Sequence, residues 1–584
     1  MLIYRERQER ESPARLLRVA RERLAGLAPG HAGIHDRVVA LLIDLGVLES
    51  AVADAVHPHA DAPHPVTGAL RAASVAAGHL LWHSWRGQVA EMPPWAARAA
   101  IALGAAERGG LPEEIAASVP EGYAYYGLYP ETYLVAVDRL ARACRPSRVV
   151  CIGLRSIGTS LSAVAAAAFE ELGGEVLTLT LRPHGHPFDR HPRLSPALAT
   201  ALRAQATDLF VLVDEGPGLS GSSLAGTART LEELGVLADR IVLMPSWRTD
   251  GRALRSAEAR ARWQRHPQFT ASFEETWVDT GRLGSALQGR VLENLSAGAW
   301  RPLVFGQASD YPPVQPQHER RKYLARTPSG TAGDTPDLLL RFAGLGTYGE
   351  RRLARAQSLA ALGLGAAPVG LTHGFLAQPF SEGTPASEDA AEELVPVMAD
   401  YLACVRRHCA ASGAIVDLGP MVETNVREAI DAGAGDRARE RLAELANDVA
   451  PTALDARMFP HEWLRTPAGW VKVDAVDHHD DHFYPGPQDI AWDVAGTCLE
   501  FRLAGDMRRA FIERYRAASG DGNIHQRLPA YALAYAAYRV GYATLAAEQL
   551  RGSADGARFE ARAQAYRRML VAELAPGAAV AWRR

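Results

Sequence analysis

Apolar residues first recur along the chain at three- and four-residue spacing. "ARLLRVARERLAGL" and "HDRVVALLIDLGVLESAVADAV" each carry a one-sided apolar stripe with few β-branched clusters, which predicts a helical region over residues 1–118. After "GYAYYGLYPETYLVAVDRLARA" the period changes. From 148 to about 245, short β-rich runs alternate with helical stretches: "RVVCIGL", "SLSAVAAAAFEELG", "EVLTLTL", "PALATALRAQA", "LFVLVDE", "SLAGTARTLEELG" and "RIVLMP". Strands alternating with helices imply βαβ units and a mainly parallel sheet, with ligands expected at the carboxyl ends of the strands. The proline-rich "YPPVQPQ" (311–317) reads as a linker. Beyond it, "DLLLRFAGLG" reads as a strand, and long helical patterns continue to Arg584.

Length supports this division, since 584 residues exceed one core. Charge narrows the partners: 63 basic against 67 acidic side chains, net −4, provide no general field for nucleic acid or anionic membrane. The start, "MLIYRERQERESPARLL", lacks the apolar core of a signal peptide. Apolar runs are too short to span a bilayer, "SAVAAAAFEELG" breaking at Glu170. The five cysteines, Cys144, Cys151, Cys404, Cys409 and Cys498, have neither metal-ligand spacing nor a disulfide framework, so a reducing, cytoplasmic setting is expected. Positive charge is nearly all arginine, with lysine only at 322 and 472.

The stretch "FVLVDEGPGLSGSSLAGTARTLEELG" (210–235) runs a strand into two acids, a glycine- and serine-rich loop and a helix. Glycine lets a backbone crowd a ligand, and loop amides with hydroxyls suit an anion. This stretch resembles the signature loop of type I phosphoribosyltransferases, apart from a one-residue lengthening and serine where threonine is commoner. The resemblance implies that Asp214 and Glu215 hold the ribose hydroxyls of phosphoribosyl pyrophosphate (PRPP). Gly218, Ser220, Gly221, Ser222 and Ser223 would cradle its 5′-phosphate. About sixty residues upstream, "VVCIGLRSIGTSLSAV" resembles the family's pyrophosphate loop, with Arg155, Ser156, Gly158, Thr159 and Ser160 as candidates. After "EVLTLTL", the loop "RPHGHPFDRHPR" stands where the family places a mobile catalytic loop; Arg182 and its basic neighbours suit a departing pyrophosphate. Its histidines, His184, His186 and His191, read as solvated loop residues before catalysts. The tyrosines of "EGYAYYGLYPETY" read as core packing, with stacking on a base as the alternative. Mg²⁺ would neutralise the leaving group.

"DLLLRFAGLGTYGERRLARAQSLAALGLGAAPVGLTHGFLAQPFSEG" (337–383) has the order strand, helix, strand, hinge. It resembles the nucleotide lobe of aminoglycoside-phosphotransferase-like and choline-kinase-like kinases. In that resemblance Arg341 replaces the strand lysine that meets ATP phosphates, Glu350 is its helix partner, and Lys322 in "ERRKYLARTPSGTAGD" is an alternative phosphate contact. In 451–496, Asp455 resembles the catalytic-loop aspartate, His461 stands near the metal-binding asparagine, and Asp474 resembles the Mg²⁺-binding aspartate. "PGPQDIAWDVAG" resembles the segment that anchors the catalytic loop, through Asp489. "TALDAR" departs from the family's histidine-glycine-aspartate start. "DHHDDH" (477–482) reads as a solvated loop, with a metal site as the alternative. The paired histidines His79 and His83 read as satisfied or exposed.

The fold expected is therefore α/β multidomain: a helical region 1–118, a phosphoribosyltransferase-like domain 119–300, a linker 301–317 and a two-lobed kinase-like α+β domain 318–584. The expected function is a two-activity enzyme using PRPP, ATP and Mg²⁺ on a nucleotide- or ribose-containing metabolite. The alternative is a sensor that binds nucleotide without turnover.

Overall fold

The computed structural model describes residues 1–583 except 5–7, 29, 31–32, 219, 288, 328–337, 413–414, 444–450 and 484. A ribbon of β1 (Gln8–Glu11) and β2 (Ile115–Ser118) brackets four helices: α1 (Pro13–Ala25), α2 (Ile34–Val56), α3 (Pro65–Trp85) and α4 (Met92–Arg108). Then come α5 (Glu131–Cys144), β3 (Arg148–Leu154), α6 (Gly158–Glu171) and β4 (Glu175–Leu181). A hairpin of β5 (Pro183–His186) and β6 (Asp189–Pro192) leads to α7 (Pro196–Ala204), β7 (Leu209–Val213), α8 (Ser222–Glu233) and β8 (Ile241–Met244).

The expected sheet forms as a parallel array in the order β4-β3-β7-β8. β7 is buried along its whole length, as a parallel strand covered on both faces must be. α6 is buried from Gly158 to Phe169 because it lies between this sheet and the N-terminal helices. Its alanines leave no polar face to keep wet. At Gly46 of α2 and Gly78 of α3 an added Cβ would stand 2.7 Å from Ser160 Cβ and 2.5 Å from Ala163 O, so both glycines are required by close helix packing. The paired histidines tie the same layers: His79 meets Glu170 at 2.8 Å and Glu171 at 2.6 Å, and stacks on Trp95.

The second half begins with α9 (Ala257–Arg265), α10 (Arg282–Ala286), β9 (Arg290–Asn294), α11 (Arg301–Val304), β10 (Lys322–Arg326), β11 (Leu338–Phe342) and α12 (Thr347–Ala361). β12 (Gly370–Thr372), β13 (Phe375–Pro379) and β14 (Thr384–Pro385) precede α13 (Ala391–His408), α14 (Gly419–Ala429) and α15 (Ala432–Ala443). Last come β15 (Trp463–Thr466), β16 (Gly469–Lys472), α16 (Ala491–Glu500), α17 (Gly505–Ser519), α18 (Ile524–Gln549), α19 (Ala554–Leu574) and α20 (Ala578–Arg583). An antiparallel sheet, β12-β13-β11-β10-β9, faces the smaller sheet β14-β15-β16 and the C-terminal helices across a cleft. β9 pairs with β10 and so belongs to this sheet, although 290–294 falls inside the stretch expected to end at 300. The passage 301–317 is not an open spacer: it holds α11, and Arg301 pairs with Asp555 of α19 at 2.6 Å. Most of the hairpin turn expected in "ERRKYLARTPSGTAGD" (residues 328–334) lies outside the described residues. No helix among those described is long and apolar enough to cross a membrane, and all five cysteines are unpaired.

Candidate functional site

The cleft between the antiparallel sheet and the helical half encloses a cavity of about 1280 Å³. Lys322 and Arg341 reach it from adjacent strands, where they are register partners, and Asp474, Lys472 and His478 reach it from the other side. Asp474, Asp477 and His478 bring one ligand atom each to within 4.8 Å of one another. Two carboxylates with one imidazole suit a hard divalent cation, and Asp474 offers Oδ2 while its Oδ1 faces Arg341, so the residues fit Mg²⁺. Arg341 lies 2.8 Å from Asp474 and also pairs with Asp477. Burial alone would raise the Asp474 carboxyl, but Arg341 and Lys322 overcome it and hold the group well below the usual carboxylate range. Asp474 has φ 60, a left-handed conformation that Asp and Asn tolerate better than most residues.

Several of the expected site residues have partners other than those expected. Glu350 is exposed and pairs with Arg23 at 3.3 Å, not with Arg341. The inward-facing charge of α12 is Arg352, two residues on, which meets Asp477 at 3.6 Å and Asp480 at 3.5 Å. Asp455 is fully buried, with Lys472 at 3.1 Å and the Tyr401 hydroxyl donating to it at 2.7 Å, so its carboxylate is engaged by the protein itself. Its backbone is anchored by Asp493, which accepts from the amides of Asp455 and Ala456 at 2.9 Å. Asp489, the expected anchor, instead pairs with Arg527 at 2.5 Å. The two acids stand four apart on "DIAWDVAG", and sequence alone does not say which turns toward the loop. His461 stacks on Phe459 (5.3 Å, 15°) and lies outside the Asp474, Asp477 and His478 cluster. Burial drives His461 down to about 4, so it is neutral.

At the parallel sheet, the two expected turns meet. A Cβ on Gly158 would stand 3.2 Å from Asp214 Oδ1, and one on Gly122 would stand 2.9 Å from Glu215 Oε1. Ser156 is exposed with φ 135, a strained conformation for a non-glycine residue that costs about 1–3 kcal/mol. Thr159 and Ser160, however, are buried, and Ser160 pairs with the Tyr123 hydroxyl at 2.8 Å. Arg155 and Arg182 are also occupied. Asp54 of α2 accepts from Arg155 Nε at 2.7 Å and Arg182 Nε at 2.9 Å, and Asp61 accepts from Arg155 at 2.5 Å. The space left among Asp54, Ser156, Ser160 and Arg182 is about 20 Å³, room for roughly one water. In the second turn Gly218 is exposed and Gly221 has φ 64. Ser220 and Ser222 hydroxyls stand 3.0 Å apart, with Ser222 donating to Pro187 O and Ser223 half-buried.

One segment touches both regions. Tyr133 donates to Asp214 O at 2.8 Å, Tyr125 to Asp480 O at 2.8 Å, and Tyr126 meets His482 at 2.6 Å. Tyr123, Tyr125, Tyr129 and Tyr133 are buried, so this stretch is packing and not a platform for a base.

No family model matches the sequence, and no curated protein matches it. Among solved structures the chain is similar to choline kinase LicA from Streptococcus pneumoniae, at 16% identity and TM-score 0.34, over 50% of this chain and 98% of that one. It is similar to a choline/ethanolamine kinase family protein from Mesorhizobium loti, at 16% identity and TM-score 0.32, over 45% and 89%. A third similarity is to aminoglycoside 2′-phosphotransferase-IIIa in its GDP complex, at 11% identity and TM-score 0.28, over 46% and 98%. Each likeness spans about half of this chain.

Burial raises Asp214 to about 6, and burial with the neighbouring Asp214 and Glu121 raises Glu215 to about 8. The folded state therefore holds these protons more tightly than the unfolded chain, and stability contributed here falls as pH rises from about 4 through 8. Glu215→Gln is expected to unfold at a higher temperature than the parent at pH 8.5, by about 2 kcal/mol in stability, and to converge with it near pH 4.5. Calorimetric melting across that range checks the crossover.

Proposed function

We propose that the cleft binds a magnesium–nucleotide and that the chain transfers the γ-phosphoryl group of ATP to a small molecule. The observation that supports this most is the convergence of Lys322 and Arg341 with Asp474, Asp477 and His478 on one cavity of about 1280 Å³. Such a volume exceeds an ordinary small-ligand pocket and leaves room for a second ligand. The cations lie where a polyphosphate is stabilised, and a bound Mg²⁺ would supply neutralisation of charge on the phosphates. The acceptor hydroxyl oxygen bonds to phosphorus as the bond from phosphorus to the β–γ bridging oxygen breaks, and ADP leaves with that electron pair. The hydroxyl proton passes to solvent water and not to His478, whose one basic nitrogen, Nε2, is already taken as an acceptor. That nitrogen lies 3.2 Å from Arg457 Nη1, which donates to it, while Nδ1 donates to Asp455 O at 3.2 Å. A weak base suffices, because phosphoryl transfer depends mainly on positioning and electrostatics.

Sequestration of Asp455 favours one rival, nucleotide binding without turnover. ADP release by the full chain, across alcohols and sugar phosphates, separates the two: release above the rate with water alone supports transfer, and binding with no release supports sensing.

The parallel-sheet region is proposed as a phosphoribosyl site, closed by Asp54, with the helical region 1–118 as its cover and the kinase-like part starting at β9. Its supports are the strand order β4-β3-β7-β8 and the approach of Gly158 to Asp214. Asp54→Ala frees Arg155 and Arg182 and is expected to raise PRPP affinity at least tenfold, about 1.4 kcal/mol. Equilibrium dialysis with labelled PRPP reads this, and unchanged affinity removes Asp54 as the closing group.

A further inference from the structure

Beyond His478 the cleft ends in a wall carrying Arg457, Phe459, Arg539 and Arg562. Two guanidiniums flank one ring: Arg539 lies 4.3 Å from the Phe459 centroid and Arg457 lies 5.3 Å from it. Arg539, on α18, is also within 5.8 Å of the rings of Tyr535, Tyr538, Tyr542 and Tyr566. Its nearest carboxylate, Glu500 at 3.5 Å, already accepts from the Tyr535 and Tyr566 hydroxyls at 2.7 and 2.8 Å.

Charge on this wall is lopsided. Its lining acid is Glu462, shared between Arg457 at 2.6 Å and Lys472 at 3.0 Å. Arg457 Nε is buried without a hydrogen-bond partner, while Arg539 Nε faces Glu500 at 3.5 Å. Arg562 of α19 is exposed toward the cavity and has no acidic partner among the described residues. Buried cations with unfilled donors are costly unless an anion completes them. Planar guanidinium forks match phosphate oxygens two at a time, which an ammonium group does not. The aromatic faces that would receive a cationic ligand are already filled by Arg539.

On the reading of the cleft as a nucleotide site, we propose that this wall binds the phosphate of the acceptor, a phosphomonoester of the sugar-phosphate class, and so presents its free hydroxyl to the terminal phosphate of the nucleotide. Compounds of that class carry −1 to −2 charge, which offsets the wall's excess. A reaction that attaches a phosphoribosyl group to an acceptor generates this chemistry, and the strand-tip region is proposed for that reaction.

The test is calorimetric titration of ribose 5-phosphate into the full chain with MgADP bound, for wild type, Arg562→Gln and Arg457→Gln. Arg562 is exposed, so its replacement leaves the fold intact even where Arg457→Gln perturbs it. Ribose 5-phosphate affinity is expected to fall at least tenfold in Arg562→Gln and in Arg457→Gln, with MgADP affinity in Arg562→Gln within twofold of wild type. Ribose and choline are expected to bind at least tenfold more weakly than ribose 5-phosphate. Unchanged ribose 5-phosphate affinity in both variants overturns the proposal. So does loss of binding in Asp214→Asn with both arginine variants unaffected, which places the ligand at the parallel sheet. Failure of MgADP to bind wild type overturns the nucleotide reading instead, and the same ribose 5-phosphate series without nucleotide still judges the wall.

Discussion

Lys472→Met is expected to lower stability by about 3–5 kcal/mol, the usual cost of stranding buried charges by removing their partner. Lys472 is 4% exposed, and its ammonium donates to Asp455 at 3.2 Å, Glu462 at 3.0 Å and Val473 O at 2.9 Å. Asp493 lies behind Asp455, and burial together with the Asp455 charge raises its carboxyl above the ordinary range. Without the ammonium, Asp455 faces Asp493 with the Tyr401 hydroxyl and the Arg457 amide as donors but no cation bonded to it, whereas Glu462 keeps Arg457. The loss should depend on pH in a defined direction. The Lys472 charge lowers the Asp493 carboxyl, so without it that carboxyl is raised further, acid relieves the variant, and the difference from wild type is larger at pH 8 than at pH 5. Denaturant melts at the two pH values check it. A loss under 1 kcal/mol at pH 8 means the cluster is wetter than its burial implies.

Asp474→Asn is expected to weaken magnesium-dependent ATP binding at least a hundredfold while leaving stability nearly unchanged. Asn accepts the φ of 60 that Asp474 adopts, and Arg341 remains paired with Asp477, so the backbone and the cation stay in place. What disappears is the carboxylate least consumed by the protein. Asp477, by contrast, is shared among Arg320 at 3.3 Å, Arg352 at 3.6 Å and Arg341, so Asp477→Asn should damage folding before binding. ATP titration with magnesium and with EDTA separates the effects: the variant should lose the magnesium increment and keep the weak metal-free affinity.

Local pattern made much of this structure legible. The runs "RVVCIGL" and "LFVLVDE" are apolar on both faces, and both become central strands of the parallel sheet. "GWVKVD" carries Asp474 to the cleft because it leaves the strand on a short turn, and "DLLLRF" delivers Arg341 opposite it. What stayed hidden depends on pairings distant in sequence. Asp54 lies 101 residues from Arg155, and no local spacing announces that an acid on a helix of the first region will occupy the arginines of the second. Asp455 looks like a free carboxylate beside "AR", yet the second of the chain's two lysines, seventeen residues later, neutralises it. Helical phase misplaced Glu350: it points to solvent and Arg23, while Arg352 turns inward.

The most direct measurement is hydrogen–deuterium exchange of the full chain with and without MgATP. Protection concentrated in 338–342 and 473–478, absent with EDTA and absent in Asp474→Asn, is the predicted result. MgATP bound at saturation with those two segments unprotected contradicts a nucleotide in this cleft.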